Sequence, residues 1–434
     1  MKASGVERPR RFMKPLRISL YGNFGAGNLG NECTLRAVIE GILQRRPDAE
    51  LQCICTCPED VRQRHRIPAF RSSMRGAAES SPSKRRTNQA AAAGPEGRPA
   101  ARARKLNRLR RLSSEFIHWA RMLRAIWRTE MLIVAGTGIV ADYMCGPLGW
   151  PYDIFKLSIL AKLCRVKLVF LSVGAGPITH PLSRWFIKTS LRLADYRSYR
   201  DEASRRYLAD IGFRNNRDAV YPDMVFGLYG RLPVSKSVRP DRRRVVGLGL
   251  KDYSGVIGQS DEPEYRQYLD TMATFVSWLY EHDFSVRILI GDFQFDSRVG
   301  EEFVDLLKSR NLPVGPSWLI AEPALTVDEL LRQMVETDVV ISARYHNLVL
   351  AMILDKPVMA LSDHAKLDSL LTDLGLTQYV MPLDNLRSGD LTARFEQLGG
   401  DSERVRSYIR ERLESYRRAL DGQYALLLEV PKAR

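Results

Sequence analysis

The sequence predicts an α/β protein of two Rossmann-like domains, each built on a parallel sheet, with a cleft between them. Three observations lead there. Short apolar runs alternate with helical patterns along most of the chain, glycine-rich turns follow several of those runs, and the alternation pauses at residues 230–243 before restarting. A length of 434 residues suits two or three domains of roughly 150 residues each. Hydrophobic residues at 45% and charged ones at 27% exclude wholesale disorder.

Taken in order, residues 1–16 form a basic tail without the apolar core of a signal peptide. The first domain, 17–235, opens with a strand at Arg17–Gly22, a glycine-rich turn and a helix from about 32 to 46. A second strand at 51–56 carries Cys53 and Cys55, with Cys57 beyond them. Alternation puts all three on one face, and core packing is the favoured reading over a metal site. Six cysteines in all fit a reducing compartment without a disulfide framework. Residues 62–104, rich in Ser, Ala, Gly, Pro and Arg, are expected to be disordered. Residues 105–128 then read as a basic amphipathic helix, with Phe116, Trp119, Leu123 and Ile126 among its apolar positions. That helix is either a domain helix with one solvated face or a surface for anionic lipid head groups.

Further strands are expected at Met131–Ala135, 167–172 and 196–200. The second domain, 240–400, has strand candidates at 245–250, 286–291, 338–342 and 357–361, with helices between them. A last helix within 401–434 is expected to pack back on the first domain. The most apolar stretch, 154–173, contains four basic residues and so is not a membrane span. The expected location is the cytoplasm, at most peripheral on the inner face of a membrane.

The chemistry lies in the turns. Gly25, Gly27 and Gly30 follow a strand and open a helix, a context in which backbone amides meet an anion. A dinucleotide fingerprint also needs an acid ending the second strand, and Glu50 precedes that strand, so a nicotinamide or flavin enzyme is disfavoured. Gly136 and Gly138, with Asp142 after them, make a second such turn; Gly174 and Gly176 make a third. Arg200 and Asp201 end another strand. The strongest signal is Ser342, Arg344 and His346 at a strand-to-helix turn. Arginine offers a planar fork for phosphate or carboxylate, and imidazole exchanges protons near neutral pH. His364 follows the next strand and is a further cleft candidate.

These residues together resemble the polysaccharide pyruvyl transferase family. The family's Gly-x-Gly-Asn-x-Gly-Asp-Glu turn resembles Gly25, Gly27, Asn28, Gly30, Asn31 and Glu32, with Asn31 where most members carry Asp. Its later glycine turns resemble Gly136-Thr137-Gly138 and Gly174-Ala175-Gly176-Pro177, with Thr137 where a third glycine is common. Its Arg-Asp-x-x-Ser element resembles the stretch from Arg200 to Ser204. Its Pro-Asp pair resembles Pro222-Asp223, and its Ser-x-Arg-x-His signature Ser342, Arg344 and His346. The resemblance implies a GT-B-like fold and transfer of a pyruvyl group from phosphoenolpyruvate to two hydroxyls of a sugar, forming a cyclic ketal. It implies no bound cofactor or metal, phosphoenolpyruvate as co-substrate, and an acceptor that is a polysaccharide or its lipid-linked precursor. Arg344 and Arg200 would hold the donor's anionic groups, His346 would carry the proton, and the glycine turns with Asp142, Asp223, Ser342 and His364 would line the substrates. Two other readings remain open: a nucleotide-sugar glycosyltransferase of the same architecture, and a non-catalytic module that binds membrane or nucleic acid.

Net charge is +16, from 66 basic against 50 acidic residues. Residues 62–128 contain 18 basic and 3 acidic ones, so +15 of that charge sits in one segment outside every motif above. A solvated linker and an anionic membrane surface are both compatible with it. Nucleic acid is disfavoured, because aromatic residues occur only at the segment's edges.

Overall fold

The computed structural model describes residues 15–72, 101–143, 145–232, 243–252, 263–315, 317–363 and 365–428. The chain forms two parallel-sheet α/β domains. The first runs β1 (Arg17–Gly22), α1 (Leu29–Arg45), β2 (Glu50–Cys55), α2 (Pro58–His65), β3 (Ala69–Arg71), α3 (Ala101–Ile126), β4 (Met131–Ala135), α4 (Trp150–Leu163), β5 (Lys167–Val173), α5 (Pro181–Leu193), β6 (Tyr196–Tyr199), α6 (Glu202–Asp210) and β7 (Ala219–Val220). Its seven strands lie in the order β3-β2-β1-β4-β5-β6-β7. The second runs β8 (Val245–Gly249), α7 (Pro263–Glu281), β9 (Ser285–Ile288), α8 (Phe293–Ser309), β10 (Leu319–Ile320), α9 (Val327–Val335), β11 (Val339–Ser342), α10 (Tyr345–Ile353), β12 (Val358–Ser362), α11 (Ala365–Asp373), β13 (Val380–Pro382) and α12 (Ser388–Gly400). Its six strands lie in the order β10-β9-β8-β11-β12-β13.

Both sheets reverse strand order between their first and fourth strands, β1 beside β4 and β8 beside β11. Ligand crevices of open α/β sheets form at such reversals, beyond the carboxyl ends of the strands. Strands β4, β8, β11 and β12 are buried at every position, which follows from helices covering both faces. The strands absent from the sequence reading are β3, β7, β10 and β13, all edge strands of two or three residues. Too short to show a period, they are added by pairing with a longer neighbour.

Residues 62–72, expected to be disordered, belong to the fold. They finish α2 and form β3, whose Ala69 pairs with Cys53 on β2. The helical pattern begins at residue 101 in place of 105. Residues 73–100 lie outside the described residues. Among the described side chains of α3, His118, Met122, Ala125 and Ile126 are buried, whereas Phe116 is 76% exposed. Cys53 and Cys55 are fully buried, and Cys57 is half-buried at the strand's end. No helix among the described residues is long and apolar enough to cross a membrane.

The long helix α13 (Ser402–Leu428) leaves the second domain and packs on the first. Tyr424 packs against Gly41 of α1, and Gln423 Nε2 donates to Ser198 Oγ at 2.7 Å. The domains also meet directly. Leu29 N donates to Gly291 O and Phe293 N to Gly27 O, both at 3.1 Å, so the first glycine turn forms a short ladder with the loop after β9. Asn28 Nδ2 adds a bond to Asp292 Oδ2 at 2.7 Å. Farther out, Arg36 of α1 pairs with Asp328 of α9 at 2.6 Å.

Candidate active site

Helix α1 starts at Asn28, whose side chain accepts from Asn31 N at 3.1 Å. Helix α10 starts across the cleft after Arg344. Their N-termini face each other, and His346, in the first turn of α10, lies against Gly30. A Cβ on Gly30 would overlap the imidazole at Nδ1. Glycine here admits a ring from the opposite domain. We therefore expect Gly30→Ala to cut turnover by at least about a hundredfold, an effect typical of a small misplacement of a reacting group. The unfolding midpoint, read on the same protein, should barely move; turnover equal to the parent would refute this packing role.

His346 Nε2 is 3.7 Å from Asp223 Oδ2 and has no hydrogen-bond partner among the described residues. Asp223 is fully buried at the start of the turn Met224–Leu228, with Oδ1 accepting from Val225 N at 2.9 Å. Burial pushes its carboxyl up, but His346, Arg200 and the Val225 amide outweigh it, so the group stays below the usual carboxylate range.

Arg200 directly follows β6 and is also buried. It donates to Asp223 Oδ2 at 3.3 Å, lies 3.5 Å from Asp201 Oδ2, and stacks on the Tyr345 ring 4.8 Å from its centroid. Its Nε is buried and makes no hydrogen bond among the described residues. A Cβ on Gly174 would come within 2.8 Å of this guanidinium, so the third glycine turn gives it room. Burial opposes the charge, yet Tyr345, Asp223 and Asp201 hold Arg200 above the ordinary arginine value. Arg344 is gripped by both carboxylate oxygens of Asp296, with Nε to Oδ2 at 2.7 Å and Nη2 to Oδ1. This fixes the plane of the fork while leaving the side chain 22% exposed.

Sequence reasoning passes over Lys366, in the first turn of α11. Its ammonium faces Gly138, 3.9 Å from where a Cβ there would sit. Arg200, Arg344 and Lys251 each have a carboxylate partner, Lys251 with Asp363. Lys366 has none within ion-pair distance among the described residues. Burial, and then the positive charges of Arg200 and Lys251, push it down to about 8 against the opposing pull of Asp201. The one available signal was its position in the helix after β12, at the same sheet edge as His346.

Other expected contacts turn out to hold the scaffold. Glu32 is buried, with Oε1 accepting from Gly25 N at 2.6 Å and Oε2 lying 3.2 Å from His65 Nε2. Asp142 accepts from Thr179 N at 2.9 Å and His180 N at 2.8 Å, which tethers the loop leading into α5. Ser342 Oγ accepts from Arg344 N at 3.0 Å and shapes the turn. Asn31 Nδ2 donates to Asn23 O at 3.0 Å, a bond an aspartate could not make. Gly25 and Gly27 have φ of +76° and +78°; Gly136 packs on Met224 and Gly176 on Tyr207. His364 lies outside the described residues. Among those described, no group of three His, Cys, Asp or Glu is placed to hold a metal ion.

Solved structures resemble this fold at low identity. UDP-GlcNAc 2-epimerase from Neisseria meningitidis bound to UDP-GlcNAc is 13% identical, with a TM-score of 0.55 over 95% of this chain and 99% of that one. MnaA of S. aureus with UDP is 11% identical, with a TM-score of 0.56 over 96% and 99%. HepE of Anabaena in complex with UDP is 12% identical, with a TM-score of 0.54 over 95% and 99%. These likenesses identify a GT-B-like architecture. Comparison with curated protein sequences gives no match. The family model for polysaccharide pyruvyl transferase matches residues 28–364, a span running from the N-cap of α1 through both facing sheet edges. The chain belongs to the polysaccharide pyruvyl transferase family.

Proposed function

We propose that this cleft takes a pyruvyl group from phosphoenolpyruvate and joins it to two hydroxyls of a sugar as a cyclic ketal, releasing phosphate. The observation that carries the reading is the convergence of Arg200, Arg344, Lys366 and His346 on a cleft floored by glycine turns. Phosphoenolpyruvate carries a phosphate and a carboxylate, and a site for both needs several cations at fixed geometry. Arg344 and Lys366 suit the phosphate, and Arg200, whose Nε makes no hydrogen bond among the described residues, suits the carboxylate. His346 delivers a proton to the methylene carbon, which becomes a methyl group as C2 turns electrophilic. One sugar hydroxyl then attacks C2, phosphate leaves, and the second hydroxyl closes the ketal. Of the two hydroxyl protons, one restores His346 and the other leaves with phosphate. The acceptor is a polysaccharide unit or its lipid-linked precursor, met on the inner face of a membrane, and the reaction calls for no bound cofactor.

The fold neighbours' complexes with UDP favour a second reading, a nucleotide-sugar transferase. One assay separates the two. The protein is incubated with phosphoenolpyruvate and candidate saccharides, and phosphate and product mass are followed. Phosphate release with the added mass of a pyruvyl ketal is expected. Nucleotide release from a nucleotide sugar, with no use of phosphoenolpyruvate, would overturn the proposal. The same assay has a pH arm. Lys366 is charged below about 8 and neutral above it, so KM for phosphoenolpyruvate should rise as pH climbs through 8. Lys366→Arg should remove that limb. A KM flat across the window would dismiss Lys366 as a donor ligand.

A further inference from the structure

The second half of α3 and the turn after it expose one continuous stripe, residues 113, 116, 117, 120, 121, 124, 127 and 128. Three of these are large and apolar: Phe116 at 76% exposure, Trp127 at 68% and Ile117 at 49%. Three are arginines, Arg121, Arg124 and Arg128, and none has a carboxylate within ion-pair distance among the described residues. No acidic residue lies on the stripe. The apolar character continues sideways. Trp119 Nε1 donates to Tyr152 of α4 at 3.0 Å, Tyr152 packs on Phe186 of α5, and Phe155 of α4 meets Trp185, which is 51% exposed. Beneath α3, buried Lys156 ties Glu115 and His118 to α4, so the helix is anchored from below.

Exposed aromatic side chains flanked by unpaired arginines fit an interface where apolar groups enter acyl chains and guanidinium groups meet phosphate. We propose that the outer face of α3, continued over α4 and α5, seats this protein on an anionic lipid bilayer. Charge decides against a second copy of the chain. A two-fold contact would bring the arginine stripe against itself. The proposal deepens the lipid-linked acceptor reading and rests on it for its purpose. Its test measures binding without turnover, so the two can fail separately.

The full chain is co-sedimented with vesicles of phosphatidylcholine alone or mixed with phosphatidylglycerol. Binding to the anionic vesicles, weakened by salt, is expected. Replacing all three arginines by glutamine (Arg121→Gln, Arg124→Gln, Arg128→Gln) should weaken it on the order of a hundredfold. Phe116→Ser with Trp127→Ser should weaken it at least about tenfold. Both variants should keep the parent's unfolding midpoint and its phosphate release with a soluble acceptor. Parent-like vesicle binding by both variants would overturn the proposal. So would a dimer that these substitutions dissolve, or retention on single-stranded RNA without binding to vesicles. Vesicle binding without pyruvyl transfer would overturn only the assigned reaction.

Discussion

Replacing His346 with alanine is expected to lower turnover of phosphoenolpyruvate by a factor on the order of 10²–10⁴, the usual worth of a placed proton donor. The donor's KM should change far less, because its anionic groups are proposed to rest on Arg200, Arg344 and Lys366. The ring touches Gly30 and lies near Asp223, while the core packing of its own helix is made by Asn347 to Ile353. Stability should therefore hold, and a mutant that unfolds early would point to a structural role. His346→Asn keeps a polar side chain of similar reach without the proton chemistry and should be equally slow. Ketal formation by either variant at the parent rate would remove His346 from the mechanism.

Arg200→Ala should do two kinds of damage. Asp223 and Asp201 would lose their shared cation, and breaking a buried pair costs about 3–5 kcal/mol. Phosphoenolpyruvate would lose the group proposed to hold its carboxylate, so KM should rise along with the fall in unfolding midpoint. Arg200→Lys separates the effects. It restores charge near Asp223 and so recovers part of the stability, but it lacks the fork and cannot stack on Tyr345 in the same way. KM should stay high in the lysine variant. Parent-like KM in either variant would exclude Arg200 from the donor site.

The residues show why some of this was legible beforehand and some was not. Strands β1, β4, β5, β8, β11 and β12 are apolar runs because helices bury both their faces, and that leaves its mark on composition. The glycine turns and the stretch from Ser342 to His346 sit at strand ends, so their placement at the crevice followed from order alone. The partner of each side chain did not. Glu32 and Asp142 look like cleft acids in sequence, yet their oxygens close on backbone amides near the site. Lys366 lies in an unremarkable helical turn, and only tertiary packing brings it to Gly138 and Arg200. Phe116 matches the helical period of a core position but faces outward, because α3 rests on a narrower strip of His118, Met122, Ala125 and Ile126.

The imidazole of His346 and the carboxylate of Asp223 are carried by different domains. The pair exists only while Gly30 and His346 are in contact and the ladder between residues 27–29 and 291–293 is closed. Any hinge opening wide enough to admit a bulky saccharide dismantles it. The groups proposed to hold the donor are divided in the same way, Arg200 on the first domain and Arg344 with Lys366 on the second, so a single closure would complete the donor site and bring its proton source to it.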